Sequence, residues 1–378
     1  MAEDLAVYIH WPYCARICPY CDFNVYKNKT DDDLTGAIIE DLKGWRDWSG
    51  PRTISSIHYG GGTPSLMTPE DIARVNAAIS DAWDLNDDAE IAIEANPHDV
   101  NETRFKNLKD AGINRLSLGV QTFNDPALEF LGRDHDAVKA RDALEAALQI
   151  FPSVSLDLIF GWNGQTKTQW REDIDTALLA NPHHISAYQL TIEDGTAFGR
   201  AEARGNARAV GEDDSAAFYD IARQAFTAAG YEHYEVSNFA KPEHRSRHNL
   251  AYWQGWDYVG VGPGAHGRLT VAGERYATAA KDRPQDYKGC VQTQGVGFAE
   301  KEMMSAESWA EEYVLMGLRI KEGISLERYR GIAGRPLPLT RIENLISENL
   351  VRRDGDNLVA TDKGRLLLNW VTEQLLIP

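Results

Sequence analysis

The sequence predicts a mixed α/β protein built on a parallel sheet, followed by a smaller segment with a different rhythm. Three observations point there. Six short β-rich runs alternate with amphipathic helical stretches over the first 230 residues or so. Polar residues recur at the carboxyl ends of those runs, the rim on which α/β barrels bind ligands. Beyond about residue 300 the alternation gives way to helices and a hairpin. At 378 residues the chain is long enough for a large core and more than one domain.

The β-rich runs are "LAVYIH" (5–10), "ISSIHY" (54–59), "AEIAIEA" (89–95), "INRLSLGV" (113–120), "VSLDLIF" (154–160) and "HISAYQL" (184–190). Between them, 68–83 reads as a helix opened by a Thr68 cap, Pro69 at the first helical position and acids in the first turn. Stretches 136–150 and 216–230 keep the same apolar spacing, the second stopping on Gly230. Right-handed crossovers join such strands into a barrel-like or a doubly wound sheet, and the pattern fits both. Residues 231–300 are less regular and rich in Gly, His and aromatics. After them, 305–320 and 338–351 read as helices, 352–361 as a tight hairpin around Asp354-Gly355, and 361–376 as one capped final helix. This set resembles a winged-helix module, expected here to pack on the barrel or a partner rather than on DNA.

Charge and composition narrow the function. A net charge of -18 disfavours non-specific binding to nucleic acid, while leaving room for a small anion in a local basic pocket. No run approaches the roughly 18 apolar residues of a membrane span, and the N-terminus lacks a secretory pattern. We expect a cytoplasmic protein, in which clustered cysteines are metal ligands or redox thiols rather than disulfides.

Such a cluster stands in "WPYCARICPYCDF" (11–23), where Cys14, Cys18 and Cys21 form a C-x3-C-x2-C pattern far from Cys290. Three thiolates on a four-iron cubane leave one iron open to an outside ligand. A structural zinc would take four closed ligands, with His10 the nearest candidate. "HYGGGTPS" (58–65) follows the second strand; its glycines allow close backbone approach to a ligand, or simply a tight turn. Glu94, Gln121, Arg133 and Asp157 then lie at or just beyond later strand ends.

Together "YIHWPYC", "GGGTPS", "LSLGVQTF", "LGRDH" and "DLIFG" resemble the radical S-adenosylmethionine superfamily. The resemblance implies a partial (βα)6 TIM-like barrel over 1–235, a connecting region over 236–300 and a winged-helix-like domain over 301–378. It implies a 4Fe-4S cluster on Cys14, Cys18 and Cys21, with S-adenosyl-L-methionine on the open iron. Gly61, Gly62 and Thr63 would meet the methionine amine, and Glu94 and Asp157 the ribose hydroxyls or the amine. Arg133 would meet the carboxylate, Gln121 a ribose oxygen, and Tyr8 and Tyr20 would line the pocket.

Within the superfamily the chain resembles the branch holding oxygen-independent coproporphyrinogen III oxidases and the HemW heme chaperones. The oxidase pattern adds a cysteine two residues after the third; here that position is Phe23. "RHNLAYW" (247–253) carries H-N-x-x-Y-W as His248, Asn249, Tyr252 and Trp253, and matches the heme motif of the chaperone family. Imidazole is a common axial ligand of heme iron, aromatics offer flat apolar surface, and Arg245 and Arg247 would meet propionates. The plainer alternative is a surface loop whose aromatics pack on the barrel. The chaperone reading implies delivery of heme to acceptor hemoproteins such as respiratory-chain components, and allows a homodimer and transient membrane contact. A porphyrinogen-decarboxylating radical enzyme is the alternative. "FGWNGQT" (160–166) departs from the family, which more often has Leu-Pro before Gly-Gln-Thr; Trp162 and Asn163 stand there. "YVGVGPGAHGR" (258–268), with His266, reads equally as a second pocket wall or a structural turn.

Overall fold

A computed structural model describes residues 4–27 and 33–376. All six β-rich runs are strands: β1 (Leu5–Trp11), β2 (Thr53–Gly61), β3 (Asp84–Ala95), β4 (Arg115–Gln121), β5 (Ser153–Phe160) and β6 (His184–Gln189). They pair in parallel in that order. Strand β1 is buried at six of its seven positions, as expected of a parallel strand covered on both faces. The sheet never closes on itself. Beyond β6 it ends in the antiparallel β7 (Asn238–Ala240) and a two-residue strand, and beyond β1 it continues outward. The barrel is therefore partial.

The irregular-looking stretch 231–300 supplies that continuation. Strand β8 (Asp257–Val261) adds in parallel beside β1, and β9 (His266–Val271), β10 (Glu274–Ala280) and β11 (Phe298–Met303) follow antiparallel. The 258–268 segment is thus a strand and a tight turn, not a pocket wall. At Gly262 (φ +107°) a Cβ would sit 2.3 Å from the His10 carbonyl oxygen, and at Gly260 one would sit 1.9 Å from that of His266. Only glycine lets the turn close against β1.

The helices between strands form where their caps predict. Thr68 caps α1 (Pro69–Ala82) and Asp136 caps α2 (Ala137–Ile150). The Thr166–Gln169 capping box opens α3 (Lys167–Ala180), and α4 (Glu212–Ala228) completes the covering layer. One apolar core runs through this unit, including Trp45, Tyr59, Phe105, Phe160 and Trp170. In the departing "FGWNGQT" turn, Trp162 fills a small satellite core with Leu131, Ile159 and Phe198.

A second core lies in the C-terminal part. Helices α6 (Ala306–Gly317), α7 (Leu339–Ser347) and α8 (Leu368–Leu376) pack around a three-stranded sheet containing the 351–360 hairpin. The single final helix expected over 361–376 is instead two, interrupted at Leu367. A Cβ on Gly364 would lie 1.9 Å from the Leu350 carbonyl oxygen, so the first piece is pressed against the preceding turn. The break lets Leu368 and Val371 turn into the core. No helix among the described residues is long and apolar enough to cross a membrane.

Candidate functional site

A cavity of about 510 Å³ opens at the carboxyl ends of the parallel strands. Small inward residues make the room: Ala92, Ser117, Gly119, Ser155 and Ser186 stand where many barrels carry large branched side chains. All three cysteines of the early loop line it, together with Tyr20, Gly61, Gly62 and Thr63. So do Glu94, Gln121, Arg133 and Asp157. Residues spread over 140 positions of sequence thus share one wall because each ends or follows a parallel strand.

The glycine turn holds the cysteine loop. The N–H of Gly62 donates to the Trp11 carbonyl (2.7 Å), and that of Thr63 to the Tyr13 carbonyl (2.9 Å). A Cβ on Gly62 would press on the backbone of 11–13, and one on Gly61 (φ +105°) would strike the His10 ring. These N–H groups are spent, so recognition of a ligand amine here falls to carbonyl oxygens, the polarity an ammonium requires. On the other flank, Pro19 packs against Gly132, and the Pro19 carbonyl accepts from the Phe198 N–H at 2.9 Å.

The residues present suit an iron–sulfur cluster. Burial raises the Cys14 thiol, opposed by a hydrogen bond from Thr63; burial first, then the neighbouring Cys18 and Cys14, push Cys21 up to about 11. Thiols so placed ionise on taking a metal. Among the described residues no three or more His, Cys, Asp and Glu side chains are arranged to hold a single ion. His10 is unavailable as a fourth zinc ligand: its Nδ1 pairs with the Tyr8 hydroxyl (3.1 Å) and its Nε2 with the Asn24 carbonyl (2.9 Å).

The polar residues around the cavity are held firmly. Asp157 accepts from Ser117 Oγ (2.6 Å) and Ser155 Oγ (3.0 Å); burial raises its carboxyl against those bonds. Glu94 Oε1 lies 3.1 Å from His58 Nε2. Gln121 has φ +72°, a left-handed backbone for a non-glycine residue. The following residues hold it there, since the Thr122 hydroxyl and the Phe123 N–H both donate to buried Asp173. Tyr8, expected in the pocket wall, lies behind it instead. Its ring stacks on His58 and His248 at 6.1 and 6.0 Å, and a Cβ on Gly60 would touch both Tyr8 and Glu94. Tyr8 shares the inward face with His58, its register partner on β2, and its ring lies against the His58 and His248 rings rather than on the cavity surface.

The H-N-x-x-Y-W segment is a helix rather than the expected loop: α5 spans Arg247–Trp253 in chain order between α4 and α6, capped by Ser246. Its four motif residues point to different places. His248 is 1% exposed, with Nδ1 3.2 Å from Ser56 Oγ, Nε2 2.7 Å from the Tyr252 hydroxyl, and its ring stacked on His58 at 4.9 Å. Burial, then the His58 charge, keeps its imidazole neutral well below the usual range. Asn249 alone of the four lines the cavity. Trp253 lies under the Arg319 guanidinium, 4.6 Å away, against the C-terminal domain. The two arginines expected at propionates have protein partners: Arg245 pairs with Glu232 and Glu322, Arg247 with Asp88.

Sequence reasoning missed Asn96, His58 and the four serines of the cavity, Ser117, Ser155, Ser186 and Ser246. Asn96 stands two residues beyond Glu94 and so on the same face, a signal the strand period offered.

The pattern of the radical SAM superfamily matches residues 8–177, and that of the HemN C-terminal domain residues 304–367. The heme chaperone HemW of Bacillus subtilis is 34% identical over 97% of each chain. HemW of Lactococcus lactis is 34% identical over 98% of this chain and 97% of its own. A mitochondrial radical S-adenosyl methionine domain-containing protein 1 of Danio rerio is also 34% identical, over 98% of this chain and 84% of its own. Among solved structures, coproporphyrinogen III oxidase (HemN) of Escherichia coli superposes with a TM-score of 0.81 at 22% identity, covering 100% of this chain and 91% of that one; the two share a fold. By 34% identity to heme chaperones over 97–98% of its length, together with the radical SAM pattern over residues 8–177, this chain belongs to the HemW family of the radical S-adenosylmethionine superfamily.

Proposed function

We propose that this chain is a heme chaperone that holds heme, a 4Fe-4S cluster and S-adenosylmethionine, and hands heme to acceptor hemoproteins in the cytoplasm. The observation that carries the reading is full-length identity to heme chaperones combined with a cavity whose wall holds all three cysteines. Cys14, Cys18 and Cys21 would bind the cluster. S-adenosylmethionine would supply a reducible sulfonium bond, and a cavity of about 510 Å³ has room for one such molecule. Its ribose hydroxyls would meet Glu94, Asp157 and Gln121, its carboxylate Arg133, and its amine the backbone oxygens near Gly61–Thr63. Tyr20 would close one side.

Heme is the less direct part. A buried His248 with both nitrogens engaged must leave Ser56 or Tyr252 before it can ligate iron. The chaperone reading therefore includes a movement of α5 against the barrel, with Asn249, Tyr252 and Trp253 carried along. Arg245 and Arg247 would exchange carboxylate partners for propionates. A homodimer and transient contact with a membrane surface fit a protein that delivers heme to respiratory-chain components.

The test is a heme titration of wild type against His248→Ala. We expect weaker binding and an altered Soret band in the variant; equal affinity and an unchanged spectrum would remove His248 from the heme site. Phe23, where the oxidase pattern has cysteine, favours carrying heme over making it. Robust conversion of coproporphyrinogen III by the reconstituted protein would reverse that preference.

A further inference from the structure

We propose that His58 is an axial ligand of heme iron, binding the metal through Nδ1 once the H-N-x-x-Y-W helix moves aside. The inference rests on the heme reading above and adds an imidazole that lies outside that motif. His58 stands on β2 and lines the cavity. Its Nε2 faces Glu94 Oε1 at 3.1 Å. An ionised carboxylate only accepts, so that nitrogen carries the ring proton. In the neutral imidazole the lone pair is then on Nδ1. This atom is buried and has no hydrogen-bond partner among the described residues.

A buried nitrogen without a partner needs an explanation, and its surroundings supply one. An imidazole whose N–H is held by a carboxylate is the form that ligates metals. The carboxylate fixes the tautomer and makes the other nitrogen more basic. No three His, Cys, Asp and Glu side chains among the described residues are grouped to hold a bare ion. An iron inside a porphyrin brings four nitrogens of its own and asks the protein for only one or two more ligands. Heme iron therefore fits a site that a bare metal ion does not.

His248 is the neighbour that links this nitrogen to heme. The two rings stack with centroids 4.9 Å apart and planes 15° from parallel, and Tyr8 stacks on His58 at 6.1 Å. Both nitrogens of His248 are engaged, by Ser56 and Tyr252, whereas His58 has one without a partner. Withdrawal of α5 takes the His248 ring away and uncovers His58, which stays on the sheet. One movement thus presents two imidazoles to the iron, a fixed one on β2 and a mobile one on α5.

The experiment is an anaerobic heme titration of reconstituted full-length wild type, H58F, E94Q and H248A. It is read by Soret absorbance and by electron paramagnetic resonance of the ferric heme, with circular dichroism to check folding. Phenylalanine keeps a flat ring in the stack but has no ligating nitrogen. We expect low-spin ferric heme in wild type, ligated by two imidazoles, and high-spin heme in H58F, ligated by one. E94Q should weaken binding about tenfold, the usual cost of losing the carboxylate behind a ligating imidazole, and H58F by at least as much. Free imidazole added to heme-loaded H58F should restore the low-spin signal, which a loss of packing alone would not allow. Affinity and spin state in H58F equal to wild type would overturn the proposal, leaving heme to His248 if H248A alone changes them. So would weaker binding whose spectrum imidazole does not restore, the mark of a purely structural ring. A wild-type protein that takes up no heme would instead refute the heme reading itself.

Discussion

The cysteine cavity and the H-N-x-x-Y-W helix carry equally recognisable motifs, yet they are physically opposite. Around the cavity, side chains from five strands and the cysteine loop point at shared empty space, and their restraints come from neighbours behind them. In α5 the central residue points inward, and both nitrogens of His248 are taken by Ser56 and Tyr252. The first arrangement can receive a ligand as it stands. The second must first break contacts of its own. A motif therefore specifies which atoms are available to chemistry, and packing decides whether they are free.

The largest effect expected from this contrast is that of Cys18→Ser. It should abolish the visible absorbance of the reconstituted cluster and its acid-labile sulfide, while a heme titration stays close to wild type. Parallel loss of heme binding would show the two regions to be one site.

His248→Ala should destabilise the protein by about 2–4 kcal/mol in urea unfolding. The change leaves a cavity and strands the hydroxyls of Ser56 and Tyr252. A variant as stable as wild type would mean that the buried packing of α5 matters little. Tyr252→Phe is gentler, removing one hydroxyl at a cost of about 1 kcal/mol. It also frees His248 Nε2, so heme affinity should rise if that bond competes with iron. A fall would instead make the Tyr252 hydroxyl a contact of heme.

Acid sharpens the same point. His248 has a folded pKa well below 6.5, so below that pH the unfolded chain binds a proton that the folded chain refuses. Its contribution to stability is present above pH 6.5 and is lost as pH falls toward the depressed value. His184 is lowered by burial in the same direction. Asp41 acts oppositely: burial raises it to about 7, so it favours the folded state at low pH and loses that effect as pH rises through 7. Comparing His248→Ala with wild type cancels these other groups. The gap in unfolding free energy should narrow between pH 7 and pH 5; a constant gap would contradict a neutral buried imidazole. The smallest effect belongs to Phe23→Ala at the cavity mouth. With Phe23 61% exposed, stability should change by less than about 0.5 kcal/mol.

Much of the molecule was legible beforehand because its signals are local. The six parallel strands follow from apolar runs, the helix starts from Thr68 and Asp136, and the cluster ligands from cysteine spacing. The unpredicted strands β8 to β11 carry glycine and polar residues, and they exist because β1 offers them an edge to pair with. The break at Leu367 likewise depends on Gly364 meeting Leu350, a contact no periodicity encodes.

The sequence by itself determined the parallel strands, the three thiolates and the family, because each depends on residue type and short spacing. Only the tertiary structure decided that the glycine turn spends its N–H groups on the cysteine loop. It alone put Tyr8 behind the cavity, Asn96 between Arg133 and Thr63, and His248 inside the barrel wall. Those outcomes depend on which strand lies next to which, and hydrogen-bond partners 33 to 192 residues apart are chosen only when the sheet assembles.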